Sequence, residues 1–208
     1  MLVWMTLGAA FAADVACGPG PAEGPRVLRL RGHRYRRIGQ CRGVPVYRTS
    51  STDSTFADRA AAPGPVILVT RESVSPDSDG GDWPAPRGNL YLSLVVGLER
   101  DDAQAALAQA VRAELHHHAP DLATQSSWDG RYGAHRASDG RFVAGLLSES
   151  RPEGTSLGLD LHVHARASAY ARFGAEADHV SLAALGYAPP CIDAVLWSLL
   201  RRLPPPVR

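Results

Sequence analysis

Apolar positions along this chain follow two periods, one of a strand and one of a helix. Val66-Ile67-Leu68-Val69-Thr70 runs without a polar break until its end, the pattern of a strand buried on both faces. NLYLSLVVGL (89–98) is a second long apolar run. Further strands are predicted around TQSSWDG, at 141–150 and at 155–165. In the last of these, Leu157, Leu159, Leu161 and Val163 alternate with Gly158, Asp160, His162 and His164. Asp160, His162 and His164 therefore share one face. A metal would need further ligands from a neighbouring strand, and none can be named, so this face is expected to be polar and solvated.

The helical period is clearest over 101–120. Ala106, Leu107, Ala110, Val111, Ala113 and Leu115 form its stripe, and Asp101 and Asp102 lie at its start. His116, His117 and His118 occupy its last turn; neighbours there point about 100° apart and cannot chelate one metal, so they are read as complementing the helix dipole. A capped short helix is predicted in STDSTFADRAAA, ended by Pro63-Gly64-Pro65. A short helix in VSLAALGY and a C-terminal helix with the stripe Ile192, Val195, Leu196, Leu199 and Leu200 complete the pattern. Strands joined by short turns imply an α+β protein with a mostly antiparallel mixed sheet packed with helices.

At 208 residues with 45% apolar residues the chain can bury one core, and a net charge of +1 makes no general case for nucleic acid or membranes. All 22 basic residues are arginine. Without lysine there is no Schiff base, no P-loop lysine and no lysine clamp on a phosphate. Eight of the arginines fall between Arg26 and Arg48. Val27, Arg29 and Arg31 alternate with Leu28 and Leu30 there, which predicts a strand or hairpin with one wet face. Arg29, Arg31, Arg34, Arg36 and Arg37 could instead form a partner or anion surface, with RNA as one candidate, although Tyr35 and Tyr47 are the only aromatics nearby.

Cys17, Cys41 and Cys191 are widely spaced and suggest no disulfide framework, so a reducing compartment, cytoplasm or mitochondrial matrix, is expected. MLVWMTLGAAFAA lacks a basic start and is read as a docking segment rather than a secretory signal; it is too short to span a bilayer. CGPGPAEGP (17–25) reads as a linker.

STDSTFADRA, an apolar strand, a loop ending in Trp83, GNLYLSLVV, a long helix, a Trp128 segment, GRFVAGLLSES, LGLDLHV and SLAALGYAPPCIDAVLWSLLRRL occur in an order that resembles the catalytic domain of biotin–protein ligases. The resemblance covers roughly residues 44–203. It implies a class II synthetase-like fold shared with lipoate ligases, preceded by an apolar segment and linker (1–25) and a basic extension (26–43), and followed by a tail (204–208). Such ligases use ATP, Mg2+ and biotin to make biotinyl-adenylate, then acylate a carrier-domain lysine.

Two family signatures fail. Where the family has GRGRxGRxW, this chain has SVSPDSDGGDW: Gly80 and Trp83 remain, and Asp77, Asp79 and Asp82 bring negative charge. Like charges 4 Å apart repel by about 4 kcal/mol at an effective dielectric near 20, so this loop opposes an adenylate. Where the family has KWPND, Trp128 is kept and Ser127 replaces the lysine. Loss of one preorganised donor typically costs about 2.7–4 kcal/mol of transition-state stabilisation. By the same resemblance Arg141 takes the place of a second family lysine and would compensate in part, although arginine and lysine are not interchangeable at a phosphate clamp. Ser54 and Thr55 match the family's biotin-contacting pair, with a helix cap as the local reading.

The expected residual ligand pocket is Ser54, Thr55, Trp83, Asn89, Trp128, Arg141 and Gly145, with no catalytic residue, metal or cofactor. The function so implied is that of a degenerate ligase-like protein, a structural or accessory subunit or binding module with protein partners. The alternative is a divergent biotin/lipoate ligase in which Arg71, Arg87, Arg131 and Arg141 rebuild the anion site and ATP, Mg2+ and biotin are used. RNA binding through 26–48 is a third reading; no DNA partner is expected.

Overall fold

A computed structural model describes residues 17–20, 23–50, 52, 55–71, 86–172 and 177–207. Its elements in chain order are β1 (Val27–Leu30), β2 (His33–Cys41), β3 (Val44–Arg48), α1 (Thr55–Ala60), β4 (Ile67–Thr70), β5 (Leu90–Val96), α2 (Arg100–His118), β6 (Thr124–Asp129), β7 (Tyr132–Ala137), β8 (Phe142–Arg151), β9 (Gly154–Leu161), α3 (Ala167–Ala171) and α4 (Ile192–Arg202). The nine strands form one sheet in the order β1-β2-β3-β4-β5-β9-β8-β7-β6. Among the described strands only β3 and β4 pair in parallel, so the sheet is mixed and mostly antiparallel, as the short turns imply. The basic stretch is a hairpin, β1–β2, laid onto this same sheet. Among the described residues no helix is long and apolar enough to cross a membrane.

Cross-strand register assigns the two faces. Val69, Leu92, Leu159, Leu146, Gly133 and Trp128 make one continuous row across β4, β5, β9, β8, β7 and β6, on the rear face. The apolar stripes of α2 (Leu107, Val111, Leu115) and α4 (Val195, Leu196, Leu199, Leu200) pack against it. Burial of a leucine side chain in such a layer contributes roughly 1.5–3 kcal/mol. The next row, Thr70, Tyr91, Asp160, Gly145, Ala134 and Ser127, faces forward. α1 lies on that side: a side chain at Gly158 would meet the Phe56 ring at 3.1 Å.

Three sequence expectations need correction. Cys17 and Cys41 form a disulfide, 24 residues apart in sequence and buried beneath α4. Gly18 and Gln40 exchange backbone hydrogen bonds beside it, fastening the chain before the hairpin to β2. The bond removes the ground for expecting a reducing compartment. The polar face of 155–165 is solvated only at exposed His164: Asp160 is 6% exposed and His162 fully buried, because α3 and residues 177–182 cover them. Residues 181–187 make turns rather than a helix. Ser181 Oγ receives the Ala184 amide, Gly186 adopts a left-handed φ of 90°, and Pro189-Pro190 follow, so one turn forms and does not propagate.

Candidate functional site

The forward face holds a buried cluster at the end of the sheet where β5 begins and β9 ends. Register places Tyr91 beside Asp160 and Asp160 beside Gly145, with Asn89 and His162 one step along on the same face. α3 lowers Tyr170 onto it, where the Asn89 amide donates to the Tyr170 hydroxyl at 3.2 Å. Residues 178–180 bring in His179, whose ring lies 5.3 Å from His162 and 5.7 Å from Tyr170, centroid to centroid. Phe142 packs against His179 at 5.0 Å, and the Arg136 guanidinium stacks over Phe142 at 3.6 Å.

Hydrogen bonds fix where protons sit. His162 Nδ1 faces the carbonyls of Phe142 (3.0 Å) and Val180 (3.3 Å), so it is the donor to them. Nε2 lies 3.2 Å from Asp160 Oδ2, so the ring bridges the carboxyl and the backbone. Burial, then the Asp160 charge, pushes the Tyr91 and Tyr170 hydroxyls well above their ordinary range. Burial, then the neighbouring His162, lowers His179 to about 4. His179 thus stays neutral near neutral pH, and the hydrogen bonds of His162 and Tyr170 rigidify the site.

The expected pocket residues do not all meet. Asn89 and Gly145 belong to this face, and Thr55 is buried at the start of α1. Ser54 and Trp83 lie outside the described residues, as does the acidic loop. Trp128 is on the rear, laid across Gly133, where a side chain would meet its ring at 2.6 Å. Arg141 is at the β7–β8 turn, bound to Asp139 at 2.7 and 2.8 Å. Tyr91, Asp160, His162, Tyr170 and His179 form the cluster without having been grouped from sequence. Asp160 and His162 carried the signal of a shared strand face; Tyr170 and His179 sit in segments with no period to reveal them.

Cations are dispersed around the forward face. Arg131 and Arg141 occupy opposite ends of the six-residue β7, roughly 20 Å apart at about 3.3 Å per residue. Arg71 turns to the rear and shares Asp193 of α4 with Arg48, at 2.9 and 2.6 Å. Burial opposes ionisation of Asp193, but these two partners outweigh it and hold its carboxyl below the ordinary range. Arg87 is exposed ahead of β5. Arg59 of α1 is buried toward the β8–β9 turn, where its electrostatic neighbours are Glu153 and Arg151. Among the described residues no group of three or more His, Cys, Asp or Glu could hold a metal ion.

No protein-family model and no curated protein matches the chain. Solved structures do. The biotin protein ligase of Aquifex aeolicus in complex with biotin and ATP superposes with a TM-score of 0.60 at 16% identity, over 76% of this chain and 67% of that one. The Leishmania major enzyme in complex with biotinyl-5-AMP gives 0.56 at 18% identity, over 76% and 72%. The Helicobacter pylori biotin acetyl coenzyme A carboxylase synthetase gives 0.50 at 13%, over the same shares. This chain spans about two thirds of the length of the Aquifex enzyme. Its fold is the biotin/lipoate ligase catalytic-domain fold.

Proposed function

We propose that the chain is a catalytically degenerate protein of the biotin–protein ligase type, acting as a structural or accessory subunit or binding module among protein partners. The observation that carries this reading is the dispersal of cations around the forward face. An adenylate-forming site needs donors about 2.7–3.1 Å from the oxygens that gain charge. Arg131 and Arg141 stand at opposite ends of one strand, Arg71 is paired on the rear, and Arg141 is paired with Asp139. Toward the cluster, the face presents the Asp160 carboxyl, already engaged by His162, with Arg136 at the margin stacked on Phe142 and bonded to the Gly140 carbonyl. On this reading no step is assigned through ATP, Mg2+ or biotin.

Incubation with labelled biotin, lipoate or octanoate, ATP, Mg2+ and a carrier domain tests the proposal. The expected result is no labelled carrier above a protein-free blank. ATP-dependent labelling would favour the divergent ligase, with arginines rebuilding the anion site from new positions.

A further inference from the structure

The first hairpin carries a charge pattern that its own packing leaves unused. β1 is the terminal strand of the sheet, and no described residue pairs with its outer edge. Arg29 stands directly opposite Arg34, and Arg36 directly opposite Arg48. Since Arg34 and Arg36 are two residues apart on one strand, all four side chains leave the same face. Arg48 turns to Asp193, whereas Arg29, Arg34 and Arg36 are exposed and bond to no described residue. Residues 24–52 contain no Asp or Glu to neutralise them. Like charges opposed across a ladder weaken it, so the hairpin carries a cost that an external anion would relieve.

The kind of anion follows from two further features. Tyr35 and Tyr47 point to the opposite face and are buried, so neither stands beside the arginines as a platform on which a base could stack. Among the described residues nothing pairs with the backbone groups on the outer edge of β1, beside the guanidinium face, which suits an extended chain. We propose that this edge docks an extended acidic segment of a partner protein. The segment adds as a strand beside β1 and sets Asp or Glu at alternate residues toward Arg29, Arg34 and Arg36, where guanidinium forks take carboxylates two bonds at a time. The proposal names the partner chemistry of the binding-module reading, and its test uses neither ATP nor acyl ligand, so either can fail alone.

The probe is a fluorescein-labelled nine-residue peptide alternating Glu and Thr, titrated with the full chain and read by anisotropy at low salt. Binding should weaken tenfold or more in an Arg29→Gln/Arg34→Gln/Arg36→Gln variant, and equally when the central Thr of the peptide is replaced by Pro. Amide resonances of residues 27–30 should shift most on binding. The variant should melt no lower than the parent, because the replaced side chains are exposed and mutually repulsive. Undiminished binding of the Pro peptide or to the variant, shifts confined to other strands, or tighter binding of a uridine 20-mer to the same arginines would overturn the proposal.

Discussion

The rear and forward faces of the sheet are built from alternate residues of the same strands, yet they have opposite characters. On the rear, Leu92, Leu94, Leu157, Leu159 and Leu161 lie against α2 and α4 as a dry apolar layer. On the front, Asn89, Tyr91, Ser93, Asp160 and His162 are equally buried but polar. Even the buried carboxylates differ. Rear Glu114 is met by Ser198, Arg202 and His118, at 2.7, 3.0 and 2.8 Å, and locks α2 to α4. Forward Asp160 is met by a histidine within a cluster of rings. A strand can thus keep its rear residues, and with them the fold, while its forward residues change chemistry.

The contrast can be broken at the rear most easily. Leu159→Ala should lower unfolding free energy by about 2–5 kcal/mol in urea titration, through lost burial and a residual cavity. A change below 1 kcal/mol would mean that the rear face does not carry the fold. Acid probes both faces together. His135 faces α2 and His179 the forward cluster; burial first, then Arg112 for one and His162 for the other, lowers each to about 4. Both therefore bind fewer protons folded than unfolded between about pH 4 and 6.5. Their contribution is complete above pH 6.5 and is lost as pH falls, by up to about 1.4 kcal/mol per pH unit for each. His179→Asn should flatten the forward share of that slope in melting curves; an unchanged slope would contradict the assignment.

Asp160→Asn should cost about 1–3 kcal/mol, since His162 loses its charged partner while Nδ1 stays bound to backbone. The His162 imidazole resonances should shift more than those of rear-face residues, which a purely volumetric effect would not produce. The smallest change is expected at Ser93, whose hydroxyl is buried without a hydrogen bond. Ser93→Ala should be within about 0.5 kcal/mol of the parent or more stable. A loss above 1.5 kcal/mol would reveal a partner for that hydroxyl.

Much of this architecture was legible because burial imposes a period. The strands at 67–70 and 90–96 and the helix at 100–118 follow from uninterrupted or 3.6-residue apolar patterns that few other structures satisfy. What covers a polar face is not periodic. The alternation of 157–164 is the same whether Asp160 and His162 meet water or a lid from α3, so the sequence pattern alone favoured water. Tyr170 and His179 reach the cluster from a five-residue helix and an irregular segment, and tertiary packing alone brings them together. The Cys17–Cys41 bond joins positions with no spacing motif, brought together beside the pairing of Gly18 with Gln40 of β2. Trp128 belongs to a matching motif, but its face is set by a register fixed through Gly133 and Leu146.

Pyrophosphate exchange tests the central claim most directly, because it reads adenylate formation without a carrier. With ATP, Mg2+ and biotin, lipoate or octanoate in turn, the chain should give no acyl-dependent exchange of labelled pyrophosphate into ATP above the ATP-only rate. Exchange that appears with one acyl acid and is abolished by Arg141→Ala or Arg131→Ala would show that the scattered arginines do converge on a nucleotide, and would contradict the account.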